Sequence, residues 1–468
     1  MTSEDEALYV LLSRALLSGQ GYVSTWLPDS PRHVLVPPGY PWLLSIAQSV
    51  FGEGLGTIRG MTIACTGISA ALAYLLAWIL LSRQAAIACT FLLLASPLLW
   101  RFSGSLLAEA PAQVLVLGSL AAGEAARGSR AWHRWFILGV ALCLAAIAVR
   151  AASLPLLGAW ILLAAFPREA RSRSARAISA GTCAITLCLL ATVWLVWRAH
   201  GGPNLHGDYL RNLSARDPLD LDQSTAGARD LLDRGVRGTA YLAHEATDAL
   251  FHHLAKLGPL ESAGRMALLF LLACGGVALW RRGRMLTLAW TALYSLELSL
   301  FPAYEGGRYA YPLLPLVAVL LWAGVEVCCA HTRHLRLGPP LVFALAILSA
   351  ARVTLWLPNA GGTRIEPAMA RYLEVADRIR AQSPPGTIVV CRKPCVLALR
   401  SDLGAVLYPY TRDPRRLAEL VERIRARWIV ADELSPTTEQ FLLPALPSLP
   451  IEAAPRFEIG RTRAWRVK

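Results

Sequence analysis

The sequence predicts an all-α, multi-pass bundle of membrane-spanning helices followed by a small C-terminal α/β domain. Three observations predict this fold class. The 468 residues are 55% hydrophobic and 17% charged, with a mean hydropathy of +0.44. Apolar runs recur between residues 57 and 357, and the composition then changes to the mixed pattern of a globular domain. Because soluble domains are less apolar and more charged, one or two ordinary soluble domains are excluded.

Ten candidate spans emerge from a search for runs of about 17 to 25 apolar residues, with a few shorter runs allowed inside a bundle. They lie near 57–82, 85–100, 108–123, 135–149, 152–166, 178–198, 265–280, 285–302, 309–329 and 339–357. We therefore expect three parts: a first segment at 1–56 with surface helices, a bundle at 57–357 with a long loop at 200–264, and a domain at 358–468.

Arginines in alternate turns predict the orientation of the bundle. The net charge of +14 would suggest a nucleic-acid partner in a soluble protein, but here thirteen arginines cluster in every second turn beside only Glu124 and Glu169. They are Arg83, Arg127, Arg130, Arg134, Arg168, Arg171, Arg173, Arg176, Arg281, Arg282, Arg284, Arg333 and Arg336. Since cytoplasmic turns are rich in Lys and Arg, these turns are predicted to be cytoplasmic. The first segment, the 200–264 loop and the C-terminal domain are then extracytoplasmic, and no nucleic-acid partner is expected.

An acidic pair opens the chain. Residues 3–18 have an apolar stripe at helical spacing, and Ser3 and Glu6 have the spacing of a capping box. We expect a helix lying on the outer membrane surface, with Asp5 and Glu6 in its first turn. Two interpretations of the pair stay open, a favourable charge at a helix N-terminus and a functional role. The stretch "VPPGYPWL" that follows is a proline-stiffened turn that orients Tyr40.

Three further polar residues lie at outer ends of predicted spans. Glu109 begins a helix in "LLAEAP", where an acid is favourable for the helix dipole alone. Arg150 and Arg308 are unusual because arginines on the outer face oppose the cytoplasmic bias. Snorkelling to lipid headgroups is one explanation, and binding of a phosphate by the guanidinium fork is the other. Glu297 and Glu326 lie within spans, where a proton relay is one interpretation; because both are near span ends, the sequence favours helix-packing partners.

The C-terminal domain has the alternating pattern of an α/β fold. We expect helices at 367–382, after Pro394 and at 414–426, and strands at "TIVVC", "RWIVAD", "RFEIG" and "RAWRV". Cys391 and Cys395 are the only cysteines outside predicted spans. Their spacing leaves open whether they form a disulfide or stay reduced.

The motifs taken together resemble the GT-C-fold glycosyltransferases that use polyprenyl-phosphate sugars, relatives of the protein O-mannosyltransferases and the lipid A aminoarabinose transferases. They are "DEALY", "PPGYP", "LLAEAP" and "RYAYPLLP", in that order along residues 1–357. The resemblance implies a membrane enzyme that transfers a sugar from a polyprenyl-phosphate carrier on the extracytoplasmic face of the bacterial inner membrane. The acceptor, a lipid, glycan or protein, is not implied.

The resemblance also implies site residues. It places the catalytic base at Asp5, with Glu6 beside it and Glu109 as a second outer acid. Arg308 and Arg150 would bind the carrier phosphate, with Tyr309 as a further contact to the donor and Tyr40 at the entry to the donor cavity. A carboxylate that activates an acceptor hydroxyl and arginines that neutralise a leaving phosphate suit this reaction. No metal is required, although the three acids could hold a divalent cation.

Relatives of this kind have a transmembrane helix immediately before the acidic pair, and this sequence has none there. We therefore expect that a first helix precedes Met1, and the alternative is that residues 1–56 cross the membrane as a short translocated tail. Two other hypotheses stay open: a member that binds the lipid carrier without turnover, and a transporter of a polyprenyl-linked substrate. A transporter fits less well because such folds show paired repeats and charges at the membrane midplane.

Overall fold

The computed structural model describes residues 3–127, 129–165, 214–217, 219–220, 222–251, 259–301, 306–331 and 365–468, with single positions between 181 and 188 and at 340 and 347. The chain divides into two compact units. The helical unit comprises Glu53–Leu195 and Leu231–Gly362, and the α/β unit comprises Met1–Gly52, Val196–Asp230 and Thr363–Lys468. The α/β unit thus joins the first predicted segment to the C-terminal domain.

Ten described helices lie wholly or largely in the helical unit. They are α3 (Leu55–Leu80), α4 (Arg83–Leu94), α5 (Pro97–Ser103), α6 (Glu109–Ala125), α7 (Trp132–Val149), α8 (Leu154–Ala165), α9 (Ala228–Phe251), α10 (Pro259–Arg281), α11 (Met285–Leu300) and α12 (Leu314–His331). Their shared core contains the fully buried rings of Trp160, Trp290 and Tyr294. Burial of such aromatic side chains is a large stabilising contribution.

The membrane spans identified in the described part of the chain match some of the predicted positions, and the total of ten stays a prediction. Four helices are long and apolar enough to cross a membrane, or five if α4 and α5, which meet at a bend of 63°, form one span. The spans predicted at 152–166 and 285–302 correspond to two shorter apolar helices, Ala151–Ala164 and Met285–Leu300. The spans predicted at 178–198 and 339–357 lie almost entirely outside the described residues. The span predicted at 108–123 corresponds to α6, which has 17 residues.

Helices α10 and α12 approach each other closely at two glycines. A Cβ atom on Gly275 would overlap the backbone of Leu320, and a Cβ atom on Gly324 would overlap the backbone of Leu271. Small residues at such crossings allow helix backbones in membranes to touch. The sequence therefore places glycine where this helix pair has its shortest separation.

A buried carboxylate fixes the C-terminal end of α6. Glu124 is 1% exposed and forms ion pairs with Arg127 at 3.5 Å and with Arg284 at 3.4 Å. The hydroxyl of Thr287 donates a hydrogen bond to the same carboxylate at 3.0 Å, and Arg284 also donates to the backbone oxygen of Ile79 at 2.7 Å. Two arginines that the sequence assigned to cytoplasmic turns thus join α6 to neighbouring helices.

We predict that Glu124→Gln destabilises the helical unit by about 2 to 4 kcal/mol, because both guanidinium groups lose their buried counter-charge. The change is measured as a lower midpoint of thermal unfolding of the purified protein. Arg282→Gln is the matched control: it breaks the half-exposed pair between Arg282 and Glu326 (2.8 Å) and should cost less than about 1 kcal/mol. Equal midpoints for Glu124→Gln and the control would contradict the prediction.

The α/β unit is built around a five-stranded sheet with the strand order β2-β1-β3-β5-β4. Strands β2, β1 and β3 are parallel, and β3, β5 and β4 are antiparallel. The strands are β1 (Ile388–Cys391), β2 (Gly404–Leu407), β3 (Trp428–Ala431), β4 (Phe457–Ile459) and β5 (Thr462–Arg466). The helices of this unit are α1 (Glu4–Leu17), α2 (Gly39–Phe51), α13 (Pro367–Ala381), α14 (Pro394–Ser401) and α15 (Pro414–Arg423).

The predicted secondary structure of the C-terminal domain is confirmed except at one strand. The helices at 367–382, after Pro394 and at 414–426 and the four predicted strands all form. The sequence analysis missed β2, whose four residues "GAVL" are too short to show alternation. Alternate residues of the strands enter two different hydrophobic clusters, so the sheet is buried on both faces.

Helix α1 packs on one face of this sheet. Its stripe residues Leu8 and Leu12 are buried in a cluster with Tyr372 of α13 and Val396 of α14. The expectation that this stripe rests on the membrane surface is therefore wrong, because the C-terminal domain covers it. The predicted capping box is also wrong, since Ser3 makes no side-chain capping bond.

Helix α2 has one face packed and one face exposed. Tyr40 and Leu44 are fully buried on the packed face. Trp42, Ile46 and Phe51 on the other face are between 54% and 79% exposed. An apolar exposed face of this kind is typical of a helix at a lipid interface.

Candidate functional site

A buried cluster of one carboxylate and two arginines lies in the helical unit. Glu109 is 1% exposed. Its Oε1 atom is 3.2 Å from Nη2 of Arg150 and accepts a hydrogen bond from Nε of Arg308. Both arginine side chains are largely buried, with 10% and 13% exposed. The structure thus brings together three of the residues that the sequence singled out.

Each member of the cluster lies where a helix begins or ends. Glu109 is the first residue of α6, where backbone N–H groups favour a negative charge. Arg150 follows the last residue of α7 in an extended conformation, with φ −150° and ψ 119°. Arg308 ends a short 3-10 helix, Gly306–Arg308. Because helix ends leave backbone groups unpaired, polar side chains at these positions are tolerated more readily than within an apolar helix.

Aromatic and amide groups fix the "RYAYP" segment. The guanidinium carbon of Arg150 lies 5.9 Å from the ring centre of Tyr309, within the range of a cation–π contact. Tyr294 donates a hydrogen bond from its hydroxyl to the backbone oxygen of Tyr309 at 3.3 Å, and Gln113 donates from Nε2 to that of Tyr311 at 3.2 Å. The backbone on either side of this turn is therefore anchored to α11 and α6.

Two further carboxylates lie beside the cluster, and the sequence analysis did not assign them to a site. Glu245 of α9 approaches Gly307 so closely that a Cβ atom there would lie 3.0 Å from Oε2, and Leu98 would be closer still. Glu297 of α11 interacts electrostatically with Arg150. Its Oε2 atom is buried and has no hydrogen-bond partner among the described residues. The sequence favoured helix packing for Glu297. Its position about one helical turn after Tyr294 was the available signal, because both side chains then lie on the same face of α11.

The cluster can bind an anion by the chemistry of its donors. A guanidinium presents five N–H donors, more than a single carboxylate oxygen can accept. The fork of an arginine matches the oxygens of a phosphate, which makes this the natural anion for such a pair.

The other predicted site residues lie in the α/β unit. Asp5 and Glu6 are half-buried in the first turn of α1. Tyr40 is fully buried, and its ring meets that of Tyr9 edge-on with 4.7 Å between the centres. Tyr40 therefore packs α2 against α1, and its predicted position at the entry to a donor cavity stays a prediction.

The turn before Tyr40 is fixed by a buried histidine. Nδ1 of His33 lies 2.9 Å from the hydroxyl of Ser24, and Nε2 accepts a hydrogen bond from the backbone N–H of Val36 at 3.3 Å. Tyr22 donates from its hydroxyl to the backbone oxygen of Val36 at 2.8 Å. Both backbone groups of Val36 are thus satisfied, which supports the prediction of a rigid turn.

Glu4 is the acid that the sequence analysis overlooked. Its carboxylate accepts hydrogen bonds from the backbone N–H groups of Cys395 at 2.8 Å and Val396 at 3.4 Å. Burial raises the pKa of Glu4 to about 7, although these two bonds act in the opposite direction. The other titratable groups that interact with it are the Cys395 thiol, which hydrogen-bonds the carboxylate, and Asp5, Tyr372, Cys391, Lys393 and Tyr410. Three consecutive acids at one helix start exceed what dipole compensation needs, and that was the available signal.

The two cysteines of the domain are free and buried. Burial raises the pKa of both the Cys391 and the Cys395 thiols, so neither is activated as a thiolate. In the described part of the chain, no group of three or more His, Cys, Asp or Glu side chains is arranged to hold a metal ion.

Sequence comparisons match part of the chain. A family model for dolichyl-phosphate-mannose-protein mannosyltransferases matches residues 35–197. The undecaprenyl phosphate-alpha-4-amino-4-deoxy-L-arabinose arabinosyl transferases of Pseudomonas paraeruginosa and Pseudomonas aeruginosa are each 37% identical over 73 residues. That match spans 16% of this chain and 13% of the length of these curated relatives.

Solved structures match nearly the whole chain. ArnT from Cupriavidus metallidurans bound to undecaprenyl phosphate is similar with a TM-score of 0.61 and 14% identity, over 100% of this chain and 94% of that one. The oligosaccharyltransferase AglB from Archaeoglobus fulgidus, in complex with an inhibitory peptide and a dolichol-phosphate, has a TM-score of 0.55 and 12% identity over 91% and 65%. The protein is therefore a multi-pass membrane protein with the GT-C fold of these glycosyltransferases. The resemblance inferred from the motifs is confirmed.

We predict that the stability of the α/β unit depends on pH through Glu4. The raised pKa means that the folded chain binds a proton more readily than the unfolded chain, whose carboxyl has its ordinary pKa near 4.5. The stabilising contribution of protonated Glu4 is therefore complete below about pH 4.5 and is lost as the pH rises through about 7. In Glu4→Gln this loss is absent, so the variant gains about 1 to 3 kcal/mol relative to wild type between pH 5 and 8.

The measurement is hydrogen exchange of the backbone amides of β1 and β3, compared between variant and wild type at each pH so that intrinsic exchange rates cancel. Glu374→Gln, which alters an exposed ion pair with Arg378, is the control and should follow wild type. A constant difference between Glu4→Gln and wild type across this range would contradict the prediction.

Proposed function

We propose that the protein is a membrane glycosyltransferase that moves a sugar from a polyprenyl-phosphate carrier to an acceptor on the extracytoplasmic face. The observation that carries the proposal is the pair of buried arginines on Glu109, within a chain that has the GT-C fold. A solved relative of that fold holds undecaprenyl phosphate, and another holds a dolichol-phosphate. The proposal extends this carrier class to the present chain.

The carrier phosphate is assigned to Arg308 and Arg150. Burying an arginine in a membrane protein costs free energy, so a buried arginine is often functional. A phosphate that leaves during the reaction gains negative charge, which the two guanidinium groups stabilise. Glu109 orients both guanidinium groups and neutralises them in part while the donor is absent. Tyr309 is also assigned to donor binding, because its ring forms a cation–π contact with the guanidinium group of Arg150.

The catalytic base is assigned to Asp5, with Glu6 as its neighbour. A carboxylate near an acceptor hydroxyl removes its proton as the oxygen attacks the anomeric carbon, and the phosphate leaves from the opposite side. A single displacement of this kind inverts the configuration at that carbon. One base therefore suffices, and no covalent sugar–enzyme intermediate is needed.

The proposed location is the bacterial inner membrane, with the sugar transferred on its outer face. The alternate arginine-rich turns support this orientation, because they assign the other ends of the helices to the extracytoplasmic side. Glu109, Arg150 and Arg308 all lie at such ends in the sequence. The donor is then a lipid-linked sugar, and the acceptor is a lipid, a glycan or a protein of the cell envelope.

A second candidate function keeps the fold and loses the chemistry. In that case the protein binds a lipid carrier without turnover, or transports it. The paired arginines suit phosphate binding in either case, so they do not separate the two functions. Asp5 separates the two functions, because a transferase needs a catalytic base and a carrier-binding protein does not.

We predict that Asp5→Asn abolishes sugar transfer, lowering kcat by at least about 100-fold, since a positioned general base contributes about 10² to 10⁴ in rate. Transfer is measured with purified protein, a panel of synthetic polyprenyl-phosphate sugars and native membrane extract as the acceptor source. Donor affinity should stay within about 2-fold of wild type, because the base acts on the acceptor.

A non-catalytic carrier-binding protein gives a different pattern. Donor binding would then be measurable in both proteins without turnover in either. Turnover that persists in Asp5→Asn would remove this residue from the role of base.

We predict that Arg308→Ala weakens donor binding by about 10- to 100-fold, because the lost charge-assisted bonds to a phosphate are worth about 1.5 to 3 kcal/mol. Binding is measured by titration with a radiolabelled polyprenyl phosphate. Arg282→Gln, whose arginine pairs with the half-exposed Glu326, is the control for a lost positive charge in the same unit. Equal donor affinity in Arg308→Ala and wild type would rule out the phosphate role.

A further inference from the structure

We infer that Glu4 is a positioning residue: by bonding to the first turn of α14, it fixes α1 and therefore Asp5 to the C-terminal domain. The inference rests on the proposed function, because Asp5 is the proposed base. It also assigns a role to the C-terminal domain, which holds the acidic helix in place. Glu4 itself touches backbone groups of the same chain, so it is not assigned to catalysis.

The first turn of α14 has backbone N–H groups that need a hydrogen-bond acceptor from outside the helix. The first N–H groups of a helix have no partner within the helix and are normally satisfied by a capping side chain. Lys393 at the N-cap position makes no such bond. The carboxylate of Glu4 supplies it instead, to Cys395 and Val396, from a residue far away in the sequence. A negative charge at this end also matches the helix dipole.

Next to these hydrogen bonds, apolar side chains of α1 pack against the C-terminal domain. Ala7 and Leu8 lie one turn further along α1 and are buried in the same cluster as Val396 and Tyr372. Leu12 continues the contact another turn along. The helix is thus held by a hydrogen-bonded carboxylate at its start and by an apolar stripe along its length. Two contacts of different kinds fix both its axial position and its rotation.

The rotation of α1 determines the direction of Asp5. Successive residues of an α-helix are about 100° apart around its axis. When Glu4 is bonded to α14, the rotation of the first turn of α1 is fixed, and the direction of Asp5 is fixed with it. Loss of the bonds would let the first turn fray, because helix ends are the least stable part of a short helix. Misplacement of a catalytic group by about 1 Å can cost about 100-fold in rate.

The test compares Glu4→Ala and Glu4→Gln in the full-length protein. Glu4→Ala removes the acceptor, and we expect kcat to fall about 10- to 100-fold with the donor KM within about 2-fold of wild type. Glu4→Gln keeps an amide oxygen that can accept one N–H bond, so it should recover part of the activity. Glu419→Gln, an exposed acid on α15, is the control and should retain wild-type kcat.

A second readout does not depend on turnover. Cys395 is 3% exposed and follows Pro394 at the start of α14, where the bonds to Glu4 are made. Alkylation of this thiol by N-ethylmaleimide, quantified on its own peptide by mass spectrometry, reports opening of the contact. Glu4 itself raises the pKa of the Cys395 thiol, so the reference is Glu4→Gln, which removes the same charge but keeps an acceptor oxygen. We expect labelling at least about 10-fold faster in Glu4→Ala than in Glu4→Gln, if opening costs about 1.4 kcal/mol less. Glu419→Gln should label at the wild-type rate.

The combined outcomes separate this inference from the proposed function. Faster labelling together with a lower kcat supports the inference. Wild-type kcat in Glu4→Ala, with turnover lost in Asp5→Asn, overturns the inference and leaves the transferase intact. Labelling at the same rate in Glu4→Ala and Glu4→Gln overturns the contact itself. No turnover by wild type on any donor contradicts the proposed function, and the positioning of a catalytic base is overturned with it.

Discussion

The helical unit depends on the charge pairing of Glu109 with Arg150 and Arg308. Charged groups this deeply buried are stable only when they are paired and hydrogen-bonded, and here one carboxylate oxygen serves two guanidinium groups. The pairing joins the start of α6 to the end of α7 and to the turn before α12. At the other end of α6, Glu124 pairs with Arg127 and Arg284 in the same manner. One helix is thus fixed at both ends by buried ions.

The α/β unit uses a carboxylate for a different purpose. Glu4 satisfies the backbone of α14 from outside that helix, and the apolar stripe of α1 completes the attachment. The C-terminal domain therefore does more than follow the bundle in sequence, because it forms one hydrophobic core with the first helix. The start of α1 is therefore held by protein contacts, namely the bonds of Glu4 and the buried side chains of the stripe.

The sequence predicted those features that depend on local pattern. Helical stripes, strand alternation and arginine-rich turns identified most elements, and motif order identified the GT-C fold. Three kinds of feature were missed because they depend on contacts between distant residues. The stripe of α1 looked like a membrane-binding face until its partner was known, and Glu4 looked like an extra N-terminal acid. Glu245 and Glu297 looked like ordinary helix residues, since nothing local shows that α9 and α11 bring them beside the arginines.

Binding of the phosphate of a polyprenyl carrier by Arg150 and Arg308 is the central proposal for this protein. The most direct test is a cryo-electron microscopy structure of the full-length protein with undecaprenyl phosphate. The account predicts phosphate density within hydrogen-bonding distance of the guanidinium group of Arg308 or Arg150, with Glu109 still in contact with at least one of them. Phosphate density bound elsewhere in the protein, with both ion pairs of Glu109 unchanged, would contradict it.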